Sequence, residues 1–167
     1  MRKKICFILV IFFLVPVYTL FSDEEAPAKT AQDFWISLGG DVSMYSYTGM
    51  SYGGSLAFGY GSGSSIGIKI SYFFNEESID TLETCFLLRF YTSGKNAYSG
   101  PFFQFLGGAA LFNRSGDFAI PSNIGIFSVG LGFGWRFLFA DRFFIEPFIR
   151  GGYPYIFGGT ISAGVRF

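Results

Sequence analysis

Bulky apolar residues alternate with small or polar residues along most of this chain. The clearest example is GIFSVGLGFGWRFLF at residues 125–139, where every second position from Phe127 onward is Phe, Val, Leu or Trp. A period of two places successive side chains on opposite faces of a β-strand. Eight such stretches occur, at residues 34–45, 51–61, 65–75, 81–92, 101–112, 125–139, 142–152 and 157–167. The pattern therefore predicts an all-β chain of eight antiparallel strands.

The connections between these stretches are short, which favours an up-and-down order in which each strand pairs with the next. Ala140-Asp141 is predicted to form a two-residue hairpin turn, whereas the longest connection, NRSGDFAIPSN, is rich in turn formers. Two sets of connections should alternate between the ends of the sheet, 46–50, 75–80, 113–123 and 151–156 at one end and 61–64, 93–99 and 140–141 at the other. We expect the longer connections to gather at the first end.

Two kinds of barrel fit eight alternating strands, and composition separates them. A soluble ligand-carrying barrel is apolar inside and needs many charged and polar residues outside. Only 14% of this chain is charged, against about 25% in ordinary soluble domains. The bulky faces carry Phe, Ile, Leu and Val almost without interruption, and the other faces are mostly Gly and Ser. This pattern favours an eight-stranded antiparallel up-and-down transmembrane β-barrel with its bulky apolar face toward lipid.

Aromatic residues gather near the predicted strand ends, which is typical of the interfacial girdles of membrane barrels. One end carries Tyr45, Tyr52, Tyr72 and Tyr153, and the other carries Phe34, Tyr60, Phe90, Phe139, Phe143 and Phe167. We expect these rings to mark the two edges of the apolar band.

Every charged residue within a predicted strand falls on the face with the small residues. These residues are Asp41, Lys69, Glu83, Arg89, Arg136, Glu146, Arg150 and Arg166. An Arg on the lipid face near the bilayer midplane would cost about 2–4 kcal/mol, so we expect all eight inside the barrel. There they should form an ion-pair network that fills the lumen together with the small residues. The alternative is a gated ion path, in which the excess of basic groups would favour anions.

The amino end has the layout of a secretory signal peptide. Basic residues at positions 2–4 precede an uncharged apolar run, and acidic residues follow from Asp23 onward. We predict a cleaved signal peptide at 1–22, a short periplasmic segment at 23–33 and the barrel at 34–167. An uncleaved anchor helix is the alternative for the first segment.

The sequence offers little for catalysis or cofactor binding. It has no His, so the usual acid–base partner of a nucleophile is missing. The predicted mature part carries one cysteine, Cys85, which favours a buried, inert thiol over a nucleophile. No Cys/His cluster suggests a metal site, and no basic stripe suggests nucleic acid. We therefore expect neither an enzyme nor a cofactor-dependent protein.

The last strand carries a resemblance to a known class. FGGTISAGVRF ends on an aromatic residue, with apolar residues at alternate positions before it. Beside a signal-like amino end and seven upstream strands, this ending resembles the small eight-stranded outer-membrane proteins, the class of OmpX, the OmpA transmembrane domain and OmpW. The resemblance implies a place among outer-membrane lipids, and it implies a signal read by the barrel-assembly machinery at Ile161, Ala163, Val165 and Phe167.

Two functions fit such a barrel. One is a structural or surface-interaction role, with an extracellular partner meeting the outward connections, above all 113–123. The other is a narrow pore or hydrophobic conduit for small molecules. Eight strands enclose an interior only wide enough to be filled by side chains, which favours the first.

Overall fold

A computed structural model describes residues 34–61, 63–75, 79–92, 99–114 and 124–167. These residues form eight β-strands: β1 Phe34–Tyr45, β2 Gly49–Gly61, β3 Ser64–Phe74, β4 Ile79–Tyr91, β5 Gly100–Arg114, β6 Ile124–Phe139, β7 Phe143–Tyr153 and β8 Tyr155–Arg166. Each predicted strand matches one of them, with bounds within two residues. The predicted signal peptide and the segment 23–33 lie outside the described residues.

The strands close into a barrel. Each strand pairs antiparallel with the next, and β8 pairs with β1. At the closing seam Trp35 lies opposite Arg166 and Leu38 lies opposite Ala163, and the Phe167 amide donates to the Phe34 carbonyl at 2.8 Å. Closure gives the backbone hydrogen-bonding groups of every strand a partner on both sides. The predicted antiparallel up-and-down order is confirmed.

The described part of the chain contains no helix long and apolar enough to cross a membrane.

The two faces of the sheet point as the sequence predicts. Phe127, Phe133 and Phe137 on β6 are 66%, 41% and 47% exposed on the outside of the barrel. Arg136 on the same strand and Glu146 on β7 are each 2% exposed. The bulky apolar set therefore faces outward, and the charged groups are enclosed.

The interior contains larger side chains than predicted. Small residues do line it, but so do nine aromatic rings among the described residues, which the sequence-based interpretation left out. They are Trp35, Tyr45, Phe73, Tyr91, Phe102, Phe112, Phe144, Phe148 and Tyr155. The prediction of a lumen filled only by small residues and ion pairs is wrong in this respect, because most of these rings adjoin an outward apolar residue in the sequence and do not stand out from it.

Glycines make room for several of these rings. Trp35 lies opposite Gly59, Phe102 opposite Gly134, and Phe144 opposite Gly164, each on the neighbouring strand. In each pair the inward ring lies over the glycine, and a Cβ added there would overlap ring atoms. A ring that covers a cross-strand glycine keeps the narrow interior packed without strain.

The two rims of the barrel carry the connections. The terminal rim holds the start of β1, the end of β8 and the facing ends of β2 and β3, of β4 and β5, and of β6 and β7. The distal rim holds the facing ends of β1 and β2, of β3 and β4, of β5 and β6, and of β7 and β8. The predicted alternation of the two sets of connections is confirmed, but not every connection of the first set is long, because Pro154 alone joins β7 to β8. The predicted loop 151–156 is otherwise strand.

The tightest predicted turn is confirmed. Ala140 and Asp141 have φ values of 48° and 57°, and the Arg142 amide donates to the Phe139 carbonyl at 3.2 Å. Positive φ at both central residues is what a two-residue hairpin turn requires, because its backbone twist then matches that of the flanking strands.

The glycine–ring packing predicts unequal effects of two alanine substitutions. Gly134→Ala would place a methyl group against the Phe102 ring and 2.9 Å from the Pro147 carbonyl oxygen. Overpacking of this kind should lower the free energy of unfolding by about 1–3 kcal/mol.

Gly40→Ala is the matched control, because nothing lies within 4 Å of its added Cβ, and its effect should stay within about 0.5 kcal/mol. Urea unfolding of the barrel in lipid vesicles measures both variants. Equal losses from the two substitutions would contradict the packing described here.

Candidate functional site inside the barrel

Seven of the eight charged residues expected in the lumen are buried there. They are Asp41, Lys69, Glu83, Arg89, Arg136, Glu146 and Arg150, and none is more than 6% exposed. They come from β1, β3, β4, β6 and β7, whose alternation aims them at the barrel axis. Their contacts divide them into three groups.

The first group joins β1, β3 and β8. The Lys69 ammonium donates to Asp41 Oδ1 at 2.5 Å and to the Thr160 hydroxyl at 3.0 Å. The Thr160 hydroxyl also donates to the same carboxylate oxygen. One acid and one base make this group neutral.

The second group lies between β4, β6 and β7. Glu83 Oε2 pairs with Arg150 Nη2 at 2.7 Å, and Glu83 Oε1 accepts from the Ser128 hydroxyl at 2.6 Å. The same arginine nitrogen donates to the Ser43 hydroxyl at 3.0 Å. The guanidinium of Arg150 lies over the Tyr155 ring, 3.9 Å from its centroid. This group is also neutral.

The third group has two bases and one acid. Glu146 Oε1 accepts from Arg89 Nη1 at 2.7 Å and from Arg136 Nε. Arg89 is held further by Gln104 Oε1, 2.9 Å from its Nε, and by the Tyr91 hydroxyl, 3.0 Å from its Nη1. We call Arg89 and Arg136 the arginine pair; Glu146 supplies the carboxylate that they share.

Aromatic rings surround both members of the arginine pair. The Arg136 guanidinium carbon lies 3.9 Å from the Phe144 ring centroid, and that of Arg89 lies 4.3 Å from the Phe102 centroid. Trp35 faces both guanidinium groups, at 4.7 Å from Arg89 and 5.4 Å from Arg136. Rings at these distances attract cations and keep water away from them.

A second set of buried rings lies toward the distal rim. The Tyr45 ring meets Phe73, Phe112 and Tyr155 edge-on, at centroid distances of 5.4, 5.5 and 6.2 Å. We call these four residues the Tyr45 cluster. The prediction that Tyr45 belongs to an outer girdle is wrong: its ring is buried, and its hydroxyl donates to Glu83 Oε2 at 3.4 Å. An inward position and a buried acceptor outweigh the preference of tyrosine for the membrane interface.

Arg166 lies apart from the three groups in its described contacts. It is half-buried at the terminal rim, and its Nε donates to the Asp141 carbonyl in the β6–β7 turn at 2.8 Å. An inward position at the last residue of a strand puts the long side chain at the mouth and within reach of the turn.

The residues of the expected assembly signal share the outer face near the terminal rim. Ile161, Ala163 and Phe167 are exposed, and Val165 is half-buried. Their reading by an assembly machinery stays a prediction. The connection 113–123, expected to meet a partner, lies outside the described residues from position 115 onward.

Other chemistry is sparse among the described residues. Cys85 is buried with its sulfur 3.8 Å from the Ser128 hydroxyl. Within the described ranges no three His, Cys, Asp or Glu residues come together as a metal site would require.

The inward rings are the functional residues that sequence reasoning missed. Phe73, Phe102 and Phe144 each stand beside a second Phe, and in such a doublet one ring must face inward if the other faces lipid. The doublets were therefore a usable signal for Phe73, Phe102 and Phe144. The isolated Trp35, Tyr45 and Tyr155 were assignable only by strict alternation from their outward neighbours.

Comparison with known proteins supports the fold. No protein-family model matches this chain, and no curated protein does. Solved structures do match. The N-terminal β-barrel domain of Pseudomonas aeruginosa OprF gives a TM-score of 0.56 at 15% identity, covering 81% of this chain and 97% of that one.

Two further structures match over the same share of this chain. The attachment invasion locus protein Ail of Yersinia pestis, solved with the heparin analogue sucrose octasulfate, gives a TM-score of 0.55 at 16% identity and is covered to 99%. Neisserial surface protein A gives 0.52 at 14% identity and is covered to 95%. At these identities the likeness is one of fold. The described chain has the architecture of the small eight-stranded outer-membrane β-barrels.

Proposed function

We propose that this protein is an integral outer-membrane barrel with a structural or surface-interaction role and a lumen closed to solutes. The outward apolar face supports a membrane location, because so many exposed Phe, Ile and Leu side chains would be costly in water. The fold shared with the outer-membrane protein Ail and the barrel domain of OprF supports the outer membrane in particular.

The packing of the Tyr45 cluster is the observation that carries the closed lumen. Its four rings meet across the barrel near the distal rim, and each is buried. Toward the terminal rim, Phe102 and Phe148 stack at 5.9 Å beside the arginine pair. A solute crossing the barrel would have to displace rings at both levels, which favours a closed barrel over a conduit.

The distal rim supports the surface-interaction part of the proposal. There Tyr47 and Tyr153 are exposed and share a hydrogen bond between their hydroxyl groups at 2.8 Å. Tyr47 also meets the Phe112 ring edge-on, with 6.2 Å between the ring centroids. Because Phe112 belongs to the Tyr45 cluster, the β1–β2 turn packs against that cluster. A rim held by these contacts would present the neighbouring connections to a partner outside the cell. Ail, which its name describes as an attachment protein, has the same fold.

A conductance measurement tests the closed lumen. In planar bilayers the wild-type barrel should show no steady openings, because the Tyr45 cluster fills the cross-section. Tyr45→Ala combined with Phe73→Ala removes two of its four rings and should produce openings.

The matched control is Tyr52→Ala combined with Phe74→Ala, which removes two exposed rings from the outer face and should leave the barrel silent. Steady openings of the wild type, abolished by Glu83→Gln or Arg136→Gln, would favour the narrow pore instead.

A stability measurement tests the role of the ion pairs. Glu146→Gln removes the carboxylate shared by the arginine pair and leaves buried charge without a partner, which should cost about 3–5 kcal/mol of unfolding free energy. Asp141→Asn is the control, because Asp141 is exposed in a turn that Asn also tolerates.

Denaturant unfolding in vesicles compares these two variants. If the Glu146→Gln variant unfolds at the same denaturant concentration as the Asp141→Asn variant, the Glu146 carboxylate contributes nothing to the stability of the barrel.

A further inference from the structure

The buried bases inside the described barrel outnumber the buried acids, and the excess positive charge can be assigned to one group of residues. Asp41 with Lys69 and Glu83 with Arg150 are one-to-one pairs. The arginine pair shares a single carboxylate, that of Glu146. One positive charge in excess therefore lies at the arginine pair.

Burial makes this excess costly. Arg89 and Arg136 are 5% and 2% exposed, and Arg remains protonated at any physiological pH. A buried charge without a counter-charge is strongly unfavourable, so proteins pair it or bind an ion beside it. The rings above both guanidinium groups supply part of the compensation, but a ring carries no net charge.

Two hydrogen-bond donors beside the arginine pair lack an acceptor. Among the described residues, neither Arg136 Nη2 nor Trp35 Nε1 has a hydrogen-bond partner, although both atoms are buried. Both groups can only donate. They are neighbours, since the Arg136 guanidinium carbon lies 5.4 Å from the Trp35 ring centroid. Charge excess and unmet donors thus coincide.

We propose that a small inorganic anion, chloride under ordinary salt conditions, binds in the lumen to Arg136 Nη2 and Trp35 Nε1. An anion accepts from both donors and cancels the excess charge, whereas a water molecule would satisfy the donors and leave the charge. A monatomic ion also needs little room beside the Arg136 guanidinium, which the Phe144 ring covers. The anion serves as a fixed part of the core, so the site requires no conduction through the barrel.

Fluorescence of Trp35 reports on this site directly. The chain has two tryptophans, and Trp135→Phe removes the one on the outer face, leaving Trp35 as the reporter. Bromide replaces chloride and quenches indole fluorescence. Titration of the folded full-length protein in detergent, at ionic strength held constant with gluconate, should give quenching that saturates.

Two further variants, each made in the Trp135→Phe protein, distinguish bromide bound at the site from collisional quenching by free bromide. Arg136→Lys keeps the charge but loses the Nη2 donor, and it should weaken the bromide midpoint at least tenfold. Arg142→Lys, in the exposed β6–β7 turn, should leave the midpoint unchanged. Quenching that rises linearly and equally in all three proteins would mean water alone fills the site, and would overturn the proposal.

Thermal unfolding gives a second readout that needs no tryptophan at the site. A bound anion stabilises the folded state by mass action, so the wild-type Tm should rise with chloride at constant ionic strength. Trp35→Phe removes the Nε1 donor without changing charge and should lose most of that rise. This variant tests the site even if Arg136→Lys fails to fold, and a wild-type Tm that is flat in chloride would overturn the proposal.

Discussion

The narrow interior of an eight-stranded barrel is the constraint on which the rest of this structure depends. Side chains from all strands point at one axis, so a large residue is accommodated only where a neighbouring strand offers a small one. The pairing of Trp35 with Gly59 and of Phe144 with Gly164 meets this condition directly. Glycines such as Gly59, Gly134 and Gly164 therefore leave space for inward rings. The rings in turn supply the core that a membrane protein cannot gain by burying its lipid-facing residues.

Enclosed charges follow from the same constraint. The charged side chains are buried among the rings, so each ionised group must find its partners inside the barrel. Glu83 achieves this through an arginine and a serine, and Asp41 through a lysine and a threonine. Glu146 serves two guanidinium groups at once. Polar contacts of this kind link strands far apart in the sequence, and with the ring packing they favour a barrel that holds one closed arrangement over one that gates.

The alternation of residues was sufficient to predict the strands and the direction of each face, because a one-residue slip would have turned Arg136 or Glu146 toward lipid. The interior was harder to predict. The Phe102–Phe103 doublet requires one ring to face inward, but the sequence does not show what that ring packs against. Tyr45 looks like an interfacial residue until Glu83 is found beside it. The partners within each charge group were also beyond the sequence, since register across several strands decides them. The connection at Pro154 was predicted too long, as 151–156, because glycines on its amino-terminal side resemble a loop in composition.

Membrane barrel, closed lumen and anion site all presuppose that the bulky apolar residues face hydrocarbon while the interior rings do not. Quenching by lipids with brominated acyl chains measures this most directly, because the two tryptophans lie on opposite faces. Trp135 is 43% exposed on the outside and Trp35 is 3% exposed within. In vesicles of such lipids, the protein that keeps only Trp135 should be strongly quenched, and the protein that keeps only Trp35 should be quenched far less. Equal quenching, or stronger quenching of Trp35, would contradict the account.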